Sequence, residues 1–204
     1  MKINEFKMFK NANHHNYNNY FKTIDYQSNA MIFNEGDECT NISFILEGTV
    51  SIRTYSLNGK EEILNTLHPG EIFGDVICFS GNKKYIGHVI ADKNCKIAHV
   101  NKNNWLKLIQ KDSAILTNFI ENITDKTFKT KMENKMLLHK NIEDRIYYYL
   151  NTKLNKKSPS TVIIKNVTEL AKILNLPRPS VSRSLNKMEK RGLIKRNKNK
   201  IEVL

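Results

Sequence analysis

The sequence predicts an α+β chain in three parts: a β-sandwich or β-roll, a long central helix, and a small C-terminal domain of short helices and strands. Three observations carry this prediction. From about Ala30 to Val100, short alternating apolar runs are punctuated by glycine, the pattern of successive hairpins. After Lys102 the glycines vanish until Gly192, and apolar residues recur at helical spacing. The charge is also lopsided: residues 139–204 hold 16 Lys/Arg against five Asp/Glu, a net +11, whereas residues 1–138 hold 17 against 15.

The β-rich part comprises MIFNEGDE, ISFILEGTVSIRTYS, LNGKEEILNTL, HPGEIFGDVICF, KKYIGHVIA and CKIAHV. Runs of strand length broken by EGD, EGT, NGK and PGE leave room for turns but not for helices. Asn58-Gly59 is the strongest turn signal, read as a pair in which both residues take positive φ. Next, Asn103 or Asn104 is expected to cap a helix of about 35 residues, roughly 50 Å long. Its apolar positions Leu116, Ile120, Ile123, Met132, Met136 and Leu137 form a stripe, polar in the middle at Thr127, Thr130 and Asn134. A stripe longer than one small domain can cover calls for a partner helix, so Leu116, Ile120, Ile123, Thr127 and Leu137 are the expected dimer interface. The domain boundaries that follow are 1–103, 104–138 for the dimerisation helix, and 139–204.

In the C-terminal part, NIEDRIYYYLNTKL reads as a helix with Ile142, Ile146, Tyr149 and Leu150 on one face. STVIIK reads as a strand, VTELAKILN as a short helix capped by Thr168, the stretch from Pro177 as a second helix, and LIKRNKNKIEVL as a hairpin. That order is a winged helix-turn-helix. Pro177 and Pro179 are tolerated because first-turn amides have no intrahelical partner. With Val181, Leu185 and Met188 facing inward, Arg178, Ser180, Ser182 and Arg183 are free to read bases, since arginine can donate to both major-groove acceptors of guanine. Thr168, Lys187, Lys190, Arg191, Lys195, Arg196, Lys198 and Lys200 are expected on phosphates, where contacts give affinity and salt dependence but no sequence information.

Other classes are disfavoured. No apolar run is long enough to span a bilayer and the N-terminus lacks a signal-peptide core, so a cytoplasmic protein without membrane contact is expected. Cys39, Cys78 and Cys95 are odd in number and far apart, which points to free or buried thiols rather than disulfides or a metal cluster. No P-loop, metal-spaced cluster or nucleophile–base arrangement is present in the sequence, so no enzyme is expected.

The stretches GDECTNISFILEGTVSI, LHPGEIFGD and TELAKILNLPRPSVSRSLNKMEKRGLI resemble the cyclic-AMP receptor protein/FNR (Crp/Fnr) family of bacterial transcription regulators, over about residue 25 to the end. The resemblance implies a cyclic-nucleotide-binding-like β-roll, a homodimer joined through the central helix, a palindromic operator in double-stranded DNA, and recruitment of RNA polymerase. It places a candidate effector pocket at Gly74, Asp75, Lys84, Tyr85 and Thr130. There the chain departs from cyclic-nucleotide-binding members: Gly74-Asp75 replaces a Gly-Glu pair, and Lys84-Tyr85 stands near an Arg-Ser or Arg-Thr pair that holds the phosphate. Without the bidentate arginine fork, cyclic AMP is not the expected ligand, and a small-molecule effector is left unassigned. Residues 1–38 hold no cysteine for an oxygen-sensing iron–sulfur cluster, and His68, His88 and His99 are read as structural rather than haem ligands. On the recognition helix, Pro179 replaces a base-reading glutamate, while Ser182-Arg183 matches the Ser-Arg pair of FNR-like members. The competing reading is a ligand-binding module whose basic tail binds RNA or an acidic protein.

Overall fold

The computed structural model describes residues 1–13, 17–154 and 161–204; Ser160, at the start of the expected strand STVIIK, lies outside them. The chain divides into two compact units, Met1–Asp125 and Lys126–Leu204. None of its helices, among the described residues, is long and apolar enough to cross a membrane.

The first unit holds two four-stranded antiparallel sheets. One runs in the order β1 (Lys22–Tyr26), β8 (Cys95–Asn101), β3 (Asn41–Glu47), β6 (Ile72–Phe73); the other runs β2 (Met31–Phe33), β7 (His88–Ala91), β4 (Val50–Tyr55), β5 (Glu61–Leu67). Side chains alternate along β3, and both of its faces are covered. Ile45 joins Val50, Leu67, Val89 and Ile97 in one core. Ile42, Phe44 and Leu46 join Phe6, Phe9, Trp105 and Phe119 in a second core beneath the N-terminal segment and the helices. Strand β1 lies outside the expected β-region; its five residues pair in full with β8.

Three expectations are corrected here. The Asn58-Gly59 turn has positive φ only at Gly59 (75°), and Gly59 N donates to Ser56 O at 2.8 Å. The loop is thus a three-residue connection ending in a left-handed glycine, a form that asks nothing unusual of Asn58. The long helix is two helices, α1 (Lys102–Lys111) and α2 (Ser113–Leu137). Asp112 makes the break: its extended backbone stops α1, and its carboxylate accepts from Ala114 N at 3.0 Å and Asn13 N at 2.8 Å. The cap of α1 is Asn101 rather than Asn103 or Asn104, since it is Asn101 that accepts from Asn104 N at 2.8 Å. At 25 residues α2 is about 37 Å long.

The second unit holds the end of α2, α3 (Ile142–Lys153), β9 (Thr161–Ile163), α4 (Val167–Leu174), α5 (Arg178–Lys190), β10 (Ile194–Asn197) and β11 (Lys200–Val203). The last two strands form a hairpin, and β9 pairs with its second strand. Ile146, Leu150, Leu170, Leu174, Val181, Leu185, Met188, Ile194 and Ile201 fill one core.

Candidate nucleic-acid interface

Helix α4 is capped by Asn166, whose side chain accepts from Glu169 N at 2.8 Å. Thr168, the expected cap, instead lies within the first turn and is exposed. The helix ends at Asn175, which takes a left-handed φ of 51° and returns its N–H to the last turn. Asparagine tolerates that conformation where most residues do not. Pro177 then caps α5 with an extended backbone, and its carbonyl accepts from Ser180 N and Val181 N at 3.0 and 3.1 Å. Pro179 sits at the second helical position, where no amide is missed.

Val181, Ser184, Leu185 and Met188 bury one side of α5. Arg178, Arg183, Asn186, Lys187 and Lys190 are exposed, and Ser180 and Ser182 are half-buried. At 100° per residue, Ser182, Arg183, Asn186 and Lys190 fall on the face opposite the core. The inward assignments therefore hold, and an exposed cationic helix N-terminus is presented as expected.

The wing behaves differently from a simple row of cations. Lys195, Lys198 and Lys200 are exposed, with Lys198 at the hairpin tip in a left-handed φ of 52°. Arg196, expected on phosphate, is instead committed to its own domain. Its Nε and Nη2 donate to Glu189 Oε2 at 2.9 and 2.6 Å, its backbone N donates to Glu189 Oε1 at 3.0 Å, and Nη2 also donates to Asn186 Oδ1 at 2.6 Å. These bonds from Arg196 hold the Glu189 carboxyl below its ordinary value. Arg191 likewise donates to Glu143 Oε2 at 2.7 Å, joining the end of α5 to the start of α3. Arg145, which carried no sequence signal, donates to the carbonyls of Leu137, His139 and Leu174, satisfying the C-terminal ends of α2 and α4.

In the first unit, Gly74 has a φ of 79°, and a Cβ there would lie 2.5 Å from Asn41 O. Asp75 is buried and accepts from Asn122 Nδ2 of α2 at 2.9 Å. Tyr85 is buried and stacked on Phe33 with ring centroids 4.6 Å apart; burial pushes its phenol well above the ordinary tyrosine value. Lys84 is exposed beside it. Thr130 lies in the second unit, exposed, with its hydroxyl donating to Lys126 O at 3.0 Å. The three cysteines are buried and free. His99 is buried with both ring nitrogens engaged, Nδ1 at 2.9 Å from Ser43 Oγ and Nε2 at 3.1 Å from Tyr26 OH.

Along α2 the expected stripe is divided. Ile123 packs on the core of the first unit, while Met136 is buried in the second and Met132 contacts Tyr148 there. Leu116, Ile120, Thr127 and Leu137 stay exposed, as does Phe128 at 66%, which is not among the expected stripe residues.

Residues 23–112 match the cyclic nucleotide-binding domain family, and residues 158–200 match the MarR family. The cAMP-activated global transcriptional regulator Vfr of Pseudomonas aeruginosa is 26% identical over 177 residues, 83% of this chain and 83% of that protein. The cyclic AMP receptor protein of Thermus thermophilus is 23% identical over 184 residues, 90% of this chain and 84% of that protein. Among solved structures, CprK complexed with OCPA aligns with a TM-score of 0.66 at 18% identity, covering 92% of this chain and 87% of the other. A CooA mutant from Carboxydothermus hydrogenoformans aligns at 0.64 and 18%, covering 100% and 92%.

Proposed function

Since the chain belongs to the Crp/Fnr family of DNA-binding transcription regulators, we propose that it acts as a cytoplasmic, non-enzymatic homodimer that reads a palindromic operator with one α5 per half-site and can recruit RNA polymerase. The observation that carries base reading is the outer face of α5, where Arg183 stands exposed directly opposite the buried Val181, Leu185 and Met188. In helix-turn-helix proteins this face enters the major groove N-terminus first. Arg178 and Ser182 support Arg183 in base reading, with Ser180 at the edge of the face. Thr168, Lys187, Lys190, Lys198 and Lys200 supply phosphate contacts, and Arg191 adds to them from its pairing with Glu143.

Dimerisation rests on the exposed Leu116, Ile120 and Leu137 of α2, flanked by Thr127; exposed apolar surface at this spacing favours a second helix. For the β-roll we propose an effector other than cyclic AMP. Asp75 is already bonded to Asn122, Tyr85 stands buried against Phe33, and Lys84 offers only a point charge where a bidentate fork would grip a phosphate. Neither an iron–sulfur cluster nor haem is part of this reading.

Fluorescence anisotropy on a selected operator and a random duplex tests it. Arg183→Ala should lose at least about tenfold in discrimination, the worth of one arginine–guanine pair, and cyclic AMP should leave wild-type binding unchanged. Undiminished discrimination by Arg183→Ala would remove α5 as the reader.

A further inference from the structure

We propose that Asn186 is a further base-reading residue of α5 and that Arg196, a positioning residue on the wing, fixes which bases it accepts. This rests on the DNA-binding reading above. Asn186 is exposed, and its place on the helix lies between those of Ser182 and Arg183, one turn on from both. Its amide orientation is set by chemistry: a guanidinium has donors only, so the atom 2.6 Å from Arg196 Nη2 must be the amide oxygen. Arg196 cannot drift, because Glu189 holds its Nε, Nη2 and backbone N through both carboxylate oxygens.

The oxygen keeps a second lone pair, but the bond to Arg196 holds it facing the wing, so the NH2 group is the part left to face a base. Asparagine normally reads adenine by donating to N7 and accepting from N6–H2. With Oδ1 engaged, the second half of that pair is lost, and an unsatisfied adenine amino group facing it is penalised. Asn186 should therefore select base edges that offer acceptors alone in the major groove, guanine O6 and N7 or thymine O4. The wing, usually a source of phosphate contacts, here takes part in base selection through the recognition helix.

Selection from randomised duplexes with wild type, Asn186→Ala and Arg196→Met tests this, with circular-dichroism melting to check that each variant is folded. Wild type should enrich guanine or thymine at one position per half-site beyond the Arg183 contact. Asn186→Ala should lose about five- to tenfold in discrimination at that position alone, the worth of one hydrogen bond. Arg196→Met frees the amide to turn, so adenine should become accepted there, a change that loss of a merely structural wing contact would not cause. If Arg196→Met melts below the assay temperature, Glu189→Gln, which loosens Arg196 without removing it, should show the same gain of adenine. A base profile for Asn186→Ala that superimposes on wild type overturns the proposal while leaving the Arg183 reading intact. Absence of any enriched sequence with wild type overturns both.

Discussion

His99 sits buried between Ser43 and Tyr26, and its imidazole is pushed down from 6.5 to about 4, chiefly by burial and then by Lys22. The folded state thus favours neutral histidine. Between pH 6.5 and 4 the unfolded chain takes up a proton that the folded chain refuses, so stability is full above 6.5 and falls through that window. The shift corresponds to about 3 kcal/mol. Urea unfolding of wild type and His99→Gln at pH 7, 5.5 and 4.5 should show a shallower acid decline in the variant; equal declines would remove His99 as the cause. At this scale the sequence revealed types more readily than partners. The inward positions of α5 and the buried cysteines follow from spacing and apolar character. Asn101, Asn166 and Asp112 were missed as helix ends because several polar residues nearby could cap equally well, and only the local backbone decides between them.

Among the elements, the wing stores local strain. Lys198 holds a left-handed φ of 52° at the hairpin tip, a conformation costing a lysine about 1 kcal/mol relative to glycine. Lys198→Gly should raise the stability of the protein by about that amount. It should also lower the slope of log affinity against log salt by about one, through loss of a phosphate contact. A stability gain with an unchanged slope would mean that Lys198 does not touch DNA. The hairpins, α3, α4 and α5 were legible because turn residues and apolar periodicity agree within each. The break between α1 and α2 was not, since the apolar spacing runs through Asp112, whose carboxylate accepts locally from Ala114 N and also from Asn13 N, 99 residues away. Strand β1 was likewise hidden, because KTIDY gains its partner only from β8 at the far end of the unit. Nor could the sequence distinguish Arg196 from the lysines beside it. Its commitment to Glu189 and Asn186 depends on how the hairpin folds against α5.

For the whole molecule, charge and exposed apolar surface assign the work to different regions. Of the net +11 of residues 139–204, +7 falls in residues 178–204, α5 and the wing, with nine Lys/Arg against two Glu, whereas the exposed Leu116, Ile120, Phe128 and Leu137 belong to α2. A single copy leaves that helix partly uncovered, and two copies joined along it would present two copies of α5. Operator selection at fixed salt with purified wild-type protein tests this symmetry. The expected result is an inverted repeat with half-site centres about 34 Å apart, one helical turn of DNA, bound by two chains per duplex. Enrichment of a single unrepeated site bound by one chain, or tighter binding to single-stranded RNA than to any duplex, would contradict it.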